Sequence, residues 1–157
     1  MTDQPNPIPE GFEGLIPSLA ISGCARAIAF YKEAFDAVVL DRIEGLDDTI
    51  MHAMIKIGES VVMMSDEFPD KGHVGPETLG GTPVGLWRYV EDVDAAFEKA
   101  VAAGATAAME PTRMFWGDRM AAIVDPFGHK WSLASHVEDV SPEEMEKRQQ
   151  QAREEWS

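Results

Sequence analysis

Apolar residues recur at helical spacing in two stretches of the chain, and the second stretch repeats the first 69 positions later. In the first stretch the apolar positions are Cys24, Ala27, Ile28, Tyr31 and Phe35. In the second they are Val93, Ala96, Phe97, Ala100 and Gly104. Spacings of three and four residues place such side chains on one face of an α-helix. Each stretch therefore predicts an amphipathic helix with one buried side.

Segments typical of β-strands surround both predicted helices. One strand precedes each helix, at 15–22 and at 83–91. Three strands follow each helix, at 37–44, 50–57 and 60–64 in the first half and at 105–110, 118–125 and 130–136 in the second. One helix covers only one face of a four-stranded sheet, so the other face needs a partner or a ligand. The pattern predicts an α+β fold in which two β-α-β-β-β modules form a curved mixed sheet around a cleft, with a C-terminal helix added.

The two ends of the chain differ in composition from its middle. Residues 1–13 contain three prolines and little apolar periodicity, which predicts an N-terminal arm. Residues 138–157 are predicted to form a helical appendage, because Ser141 and Pro142 make a typical helix start. Between them we expect a single domain at 14–137, made of a first module (14–65), a linker rich in glycine and proline (66–82) and a second module (83–137).

Composition excludes several classes of partner. The 157 residues include 13 Lys and Arg against 28 Asp and Glu, a formal net charge of −15. Nucleic-acid binding needs a basic surface, so neither DNA nor RNA is expected as a partner. No apolar run approaches the roughly 20 residues that cross a bilayer, so no membrane is expected either. The N-terminus lacks the features of a signal peptide, and Cys24 is the only cysteine, so we expect a cytoplasmic location.

Several motifs in order carry a family resemblance. They are "AIAFYKEAF" on the first helix, "MHAMIKIGESVVMMSDE", "YVEDVDAAFEKAVAAGA" and "FWGDRMAAIVDPFGHKWSLASHVEDVSPEEM". From residue 14 to about residue 146, the chain resembles the vicinal oxygen chelate superfamily, which includes glyoxalase I, bleomycin-resistance proteins and dioxygenases. The match is nearest to its PhnB-like branch. The resemblance implies a cleft between paired modules and a homodimer.

Metal-dependent members of that superfamily hold a divalent ion in the cleft through four ligands. By the internal repeat, the corresponding positions here are Ile16, Val62, Gly85 and Ser132, none of which is a histidine or a carboxylate. The register at Val62 could slip by one residue, but Met63 is no better a ligand. A lone serine hydroxyl is a poor ligand without anionic partners. No cofactor is therefore expected. A divalent metal held by other residues, with His52 and His129 as candidates, stays open as an alternative.

Strand alternation gives a set of residues that face the cleft. The predicted ligand-binding residues are His52, Met54, Trp87, Tyr89, Trp116, Arg119 and Ser132. Aromatic rings and methionines suit a partly apolar ligand, and Arg119 could pair with a ligand carboxylate or phosphate. Purely structural roles are alternatives to ligand binding for the same residues. The aromatic rings could fill the cleft or a dimer interface, and Arg119 could pair with Asp118, Asp125 or Glu91.

Three functions follow from these patterns. The first is a metal-free small-molecule-binding protein of the glyoxalase/bleomycin-resistance type, with the ligand in an aromatic- and Met-lined cleft. The alternative is an enzyme of the lyase, isomerase or dioxygenase type, with a non-standard set of metal ligands or none and with His52 as the candidate catalytic base. The third is a structural or interaction role, which a cleft filled by the chain's own side chains would favour. Whether the chain is an enzyme is left open.

Overall fold

The computed structural model describes residues 4–156, so Met1 to Asp3 of the predicted arm and Ser157 lie outside it. The first module contains β1 (Ser18–Ile21), α1 (Cys24–Phe35), β2 (Val38–Glu44), β3 (Ile50–Ile57) and β4 (Ser60–Asp66). A 3-10 turn (Pro69–Lys71) and the short helix α2 (Pro76–Leu79) follow it. The second module contains β5 (Gly85–Tyr89), α3 (Val93–Ala102), β6 (Thr106–Arg113), β7 (Asp118–Val124) and β8 (Lys130–His136), and helix α4 (Pro142–Glu155) comes last.

The two modules share one topology. The first sheet has the strand order β1-β4-β3-β2 and the second has the order β5-β8-β7-β6. In each sheet the first strand is parallel to its neighbour, and the other pairs are antiparallel. The predicted α+β fold of two β-α-β-β-β modules is thus confirmed. One detail differs: among the described residues, no backbone ladder joins the edge strands β1 and β5, so there are two sheets with a seam between them.

The N-terminus of helix α1 is stabilised by a carboxylate that accepts hydrogen bonds from the first backbone N–H groups. Asp66 Oδ1 accepts hydrogen bonds from the backbone N–H groups of Gly23 and Cys24, both at 3.0 Å, which satisfies donors that have no partner within the helix. The helix ends at Asp36, whose φ of 55° is left-handed. Aspartate tolerates this conformation better than most residues, although less well than glycine.

Side chains of α1 join the two modules. The Phe35 and Tyr31 rings lie 4.7 Å and 5.6 Å from the Trp131 ring of β8, measured between centroids. The buried carboxylate of Asp125, which follows β7, accepts hydrogen bonds from the Tyr31 hydroxyl and from Trp131 Nε1. Its other oxygen accepts the backbone N–H groups of Phe127 and His129, both at 3.0 Å. The "DPFGH" turn therefore connects the second module to the helix of the first.

Helix α4 is held through one arginine. As the sequence predicts, Ser141 caps the helix by accepting the Glu144 N–H at 3.3 Å. The Arg148 guanidinium bonds both oxygens of Glu138, at 3.0 Å and 2.7 Å, and also bonds Glu144 and the Phe115 carbonyl oxygen. Along residues 4–156, every helix is too short or too polar to span a bilayer.

Candidate functional site

Each sheet has one face against the helices and one face that no helix covers, here called the open face. On the open face of the first sheet, one cross-strand row contains Ser18, Met63 and Met54. The corresponding row of the second sheet contains Trp87, Ser132 and Ala122. Trp87 is 49% exposed and its neighbour Tyr89 is 60% exposed, with their rings 6.2 Å apart between centroids. The open faces are therefore rich in methionine and aromatic side chains.

These rows correct the alignment of Val62 with Ser132. Val62 is 4% exposed and pairs with the core residue Ile55, so its side chain faces the core, away from the open face. Met63 of the first module is the structural equivalent of Ser132 in the second module. The cause is the hairpin: two residues separate the paired Ile57 and Ser60, whereas the second module has one residue more between the paired Asp125 and His129. Aligning the two modules by Gly58 and Gly128 therefore offsets β4 against β8 by one residue. Successive side chains of a strand point to opposite faces, so this offset assigns Val62 to the wrong face.

A buried carboxylate organises one end of the open face of the second sheet. Asp118 is 3% exposed and accepts three side-chain hydrogen bonds. The donors are the Tyr89 hydroxyl at 2.7 Å, Trp116 Nε1 at 2.9 Å and His136 Nδ1 at 2.9 Å. Nε2 of His136 lies 2.8 Å from the Asp139 carboxylate. This cluster holds the β6–β7 loop, through Trp116, against the exposed aromatic side chains of β5.

The charges of the cluster favour a protonated imidazole. Hydrogen bonds to Asp139 and then to Asp118 raise the pKa of His136 above its ordinary value. Burial acts to raise the pKa of Asp118, but the hydrogen bonds from His136, Tyr89 and Trp116 outweigh it, so that the pKa of Asp118 is lowered. The hydrogen bond to Asp118 also raises the pKa of the Tyr89 hydroxyl.

A pH titration tests this cluster. Because the folded-state pKa of His136 is raised, its protonation stabilises the fold fully below the unfolded-state pKa of about 6.5. That contribution is lost as the pH rises through the folded-state value. We expect the free energy of unfolding of wild type to exceed that of His136→Gln in acid, and the difference to shrink as the pH rises. NMR titration of the imidazole should give a pKa above 6.5 that falls in Asp139→Asn; an unshifted imidazole would contradict the assignment.

The structure brings together some of the predicted ligand-binding residues. Trp87, Tyr89 and Ser132 share the open face of the second sheet, and Trp116 joins Tyr89 through Asp118. His52 and Met54 lie on the open face of the first sheet, where His52 pairs with Ile43 across the strands. The linings of the two pockets described below do not include His52.

The predicted cleft position of Arg119 is corrected. Its guanidinium binds the Asp94 carboxylate of α3 with two hydrogen bonds of 2.7 Å, on the face that the helix covers. The partner is Asp94, and none of Asp118, Asp125 and Glu91 takes that role. The hydrogen bonds to Asp94 lower the pKa of that carboxyl and raise the pKa of Arg119. Arg119 thus fastens α3 to β7.

His129, the other histidine considered as a metal ligand, and the buried Cys24 both have structural surroundings. Nε2 of His129 lies 3.1 Å from the carbonyl oxygen of Ala20, a bond that crosses from the second module to β1. Cys24 is fully buried, and burial, followed by the charge of Asp66, raises the pKa of its thiol to about 12. A thiol with so high a pKa is a weak nucleophile at neutral pH.

Two pockets adjoin these surfaces. The first, here called the seam pocket, has a volume of about 280 Å³ and lies between the edges of the two sheets. Its lining includes Ile16, Val62, Leu86, Trp87, Arg88 and Trp131. The second, the α4 groove, has a volume of about 490 Å³ and lies between α4 and the β6–β7 loop, with Phe115, Trp116 and Trp156 in its lining.

The side chains at the superfamily's metal positions do not fit a divalent ion. Ile16 and Val62 are hydrocarbon, Gly85 has no side chain, and replacing Val62 by Met63 adds only a thioether. Ser132 alone offers oxygen, and hard cations need several oxygen or nitrogen ligands. Within residues 4–156, no three His, Cys, Asp or Glu side chains come together in an arrangement that could hold a metal ion.

The protein consists of two β-α-β-β-β modules, each with a four-stranded mixed sheet. Helices cover one face of each sheet and leave the other face open, which is the architecture of a class of paired-module proteins. The model of the glyoxalase/bleomycin resistance protein/dioxygenase superfamily matches residues 17–133. The chain belongs to this superfamily.

Sequence and structure comparisons give relatives of different kinds. An uncharacterized protein of Mycobacterium bovis is 42% identical over 135 residues, which cover 84% of this chain and 89% of that protein. The fold is similar to that of TioX from a Micromonospora species, with a TM-score of 0.61, 24% identity and coverage of 82% of this chain and all of that one. The PhnB protein from Bacillus cereus gives a TM-score of 0.63 at 17% identity, with coverage of 78% and 99%.

Three residues of the site were missed from the sequence. Asp118 and His136 begin and end neighbouring antiparallel strands, and only the register shows that they meet. Alternation along β7 and β8 could have placed both with Ser132 on one face. Arg88 was missed because it alternates with the two aromatic residues that drew attention to β5. That Arg88 forms no ion pair among the described residues depends on tertiary packing, which no local pattern contains.

Proposed function

We propose that this protein is a metal-free small-molecule-binding protein whose ligand lies against Trp87, over the open face and the mouth of the seam pocket. One observation carries the proposal: Trp87 is half exposed, stands in the same cross-strand row as Ser132, and also lines the seam pocket. A large ring left accessible beside an apolar pocket is typical of a ligand site. The donor-poor side chains at the superfamily's metal positions support binding without a metal.

An enzyme that works without a metal is a second candidate, and the Asp118 cluster favours it. A histidine held between two carboxylates, beside a tyrosine hydroxyl, is a suitable arrangement for proton transfer. His136 is a better candidate for proton transfer than His52, as a general acid, because its carboxylate partners orient the ring and favour its protonated form. A reaction found by substrate screening, and abolished in His136→Gln but not in His52→Gln, would establish this function in place of simple binding.

A homodimer of the PhnB-like kind belongs to the same proposal. Apolar side chains of the edge strand β2 and the neighbouring strand β3 are exposed, among them Val38, Leu40, Ile43 and Met51. A second copy that covers this strip would remove apolar surface from water and would close the cleft over the ligand. Light scattering coupled to size exclusion separates the dimer from a monomer, and a purely monomeric protein would remove this part of the proposal.

Removal of the Trp87 ring tests the binding site. The probe is N-phenyl-1-naphthylamine, a neutral dye whose fluorescence rises in apolar surroundings. We expect wild type to bind the dye and Trp87→Ala to bind it about tenfold more weakly, which corresponds to about 1.4 kcal/mol of lost stacking and apolar contact.

The matched control is Trp156→Ala, since Trp156 is also exposed but lies in the α4 groove. It should leave dye binding at the seam pocket unchanged. Equal loss in both variants, or a full dye response in Trp87→Ala, would remove the proposed location of the ligand.

A further inference from the structure

Arg88 reaches the seam pocket from the middle of β5. It alternates with Trp87 and Tyr89, and its side chain lies on the same face of the strand as Leu86. The guanidinium carbon lies 5.4 Å from the centroid of the Phe35 ring of α1. This cation–π contact involves no hydrogen bond, so it does not satisfy the N–H groups of the guanidinium.

Those N–H groups have no protein partner within residues 4–156. Among the residues that the structure describes, Arg88 forms no side-chain hydrogen bond and no ion pair. Three other arginines bind carboxylates, in the pairs Arg42–Glu44, Arg119–Asp94 and Arg148–Glu138. Arg26 lies over the Phe127 ring and is also outside any ion pair, but it is exposed to water, whereas Arg88 is half-buried. In a chain with 28 acidic residues, an unpaired and half-buried guanidinium is conspicuous.

The surroundings of Arg88 favour an anion. The lining of the pocket includes the apolar side chains of Ile16, Val62, Leu86 and Trp131 beside the polar residues Glu13, Glu59 and Ser60. Burial lowers the pKa of Arg88, and the charge of Asp36 opposes that change. An arginine side chain stays protonated in proteins, so the positive charge persists in a half-buried position at the pocket.

The acidic residues of the pocket lining do not neutralise this charge. The Glu59 side chain is almost fully exposed, and its carboxylate binds Lys56 Nζ at 3.2 Å. Glu13 is exposed on the segment that precedes β1. Neither lies within ion-pair distance of Arg88, so the fork of the guanidinium is left for a ligand.

We propose that the seam pocket binds a carboxylate carried on an apolar body, with the carboxylate paired to Arg88 and the body against Leu86 and Trp131. The inference rests on the proposed function and names the class of its ligand. A guanidinium matches a carboxylate through two parallel hydrogen bonds, and charged hydrogen bonds are stronger where water is excluded. The modest volume of the pocket, about 280 Å³, selects small ligands.

A matched pair of probes tests the charge requirement. Cyclohexanecarboxylate and cyclohexanecarboxamide share a shape and do not absorb at the excitation wavelength of tryptophan, and Trp87 and Trp131 in the lining report binding by fluorescence. Calorimetry gives the dissociation constants independently. Wild type should bind the carboxylate about tenfold or more tightly than the amide, as expected for a hydrogen-bonded charge.

Arg88→Met should reduce this preference to about one while retaining the binding of the amide, because the apolar stem remains. Arg88→Lys, which keeps the charge but loses the fork, should give an intermediate ratio. Arg113→Met, an exposed arginine of the α4 groove, is the matched control and should keep the wild-type ratio. Circular dichroism checks that each variant is folded.

The outcomes separate this inference from the proposed function. A wild-type protein with no preference for the carboxylate, or an unchanged ratio in Arg88→Met, overturns the role of Arg88. If the neutral dye binds at Trp87 and neither cyclohexane probe binds, the carboxylate inference fails and the proposed function stands. If neither the dye nor either probe binds, both fail.

Discussion

Asp125→Ala is expected to lower the free energy of unfolding by about 3–5 kcal/mol. The side chain is 3% exposed and accepts hydrogen bonds from the Tyr31 hydroxyl, Trp131 Nε1 and two backbone N–H groups. Its removal leaves several buried donors without an acceptor, and each such donor costs about 1–3 kcal/mol, with partial relief from relaxation. Urea denaturation followed by tryptophan fluorescence measures the change.

The matched control is Asp70→Ala. Asp70 lies exposed in the 3-10 turn after β4, and its replacement should change the free energy of unfolding by less than about 0.5 kcal/mol. If Asp125→Ala proved as mild as this control, the "DPFGH" turn would not be the connection between the modules that its hydrogen bonds indicate.

Phe35→Ala is expected to cost about 3–5 kcal/mol of unfolding free energy, the range for removing a fully buried phenylalanine ring. The ring is 1% exposed, stacks on Tyr31, packs on Trp131 and supports the Arg88 guanidinium. Its loss creates a cavity at the junction of the modules and also removes the aromatic face under Arg88. Denaturant unfolding measures the first effect, and carboxylate binding measures the second.

Leu79→Ala is the control for truncation of an apolar side chain, since Leu79 is largely exposed at the end of α2. It should shift stability only slightly. A loss from Phe35→Ala as small as that from Leu79→Ala would mean that the two modules are joined elsewhere.

The architecture could be predicted because it repeats. Two helical stripes, each with one strand before it and three after it, specify the same module twice, and side-chain burial follows the same periods of 3.6 and 2. The seam between the sheets could not be predicted in this way. Whether the edge strands β1 and β5 form a ladder depends on how α1 packs over β8, a contact between residues about 100 positions apart.

The positions of the candidate site residues could be predicted only where the alternation of side chains along a strand determines which face of the sheet they occupy. Trp87, Tyr89 and Ser132 have the predicted face because strands alternate strictly. Arg119 and Val62 were misplaced for other reasons. Asp94 approaches Arg119 only when α3 docks on the sheet, and the face of Val62 depends on the length of a turn. An arginine without a partner, such as Arg88, is recognised only when all its neighbours in space are known.

The unequal hairpins affect how the chain tolerates a change of length. Because the two sheets share no ladder, one residue could be gained between β7 and β8 without disturbing any pairing in the first sheet. The longer turn of the second module contains the buried "DPFGH" connection. The shorter Gly58–Glu59 turn of the first module has no equivalent of it. The two modules thus differ in the role of their hairpins: the first has a plain surface turn, and the second has the attachment that holds the modules together.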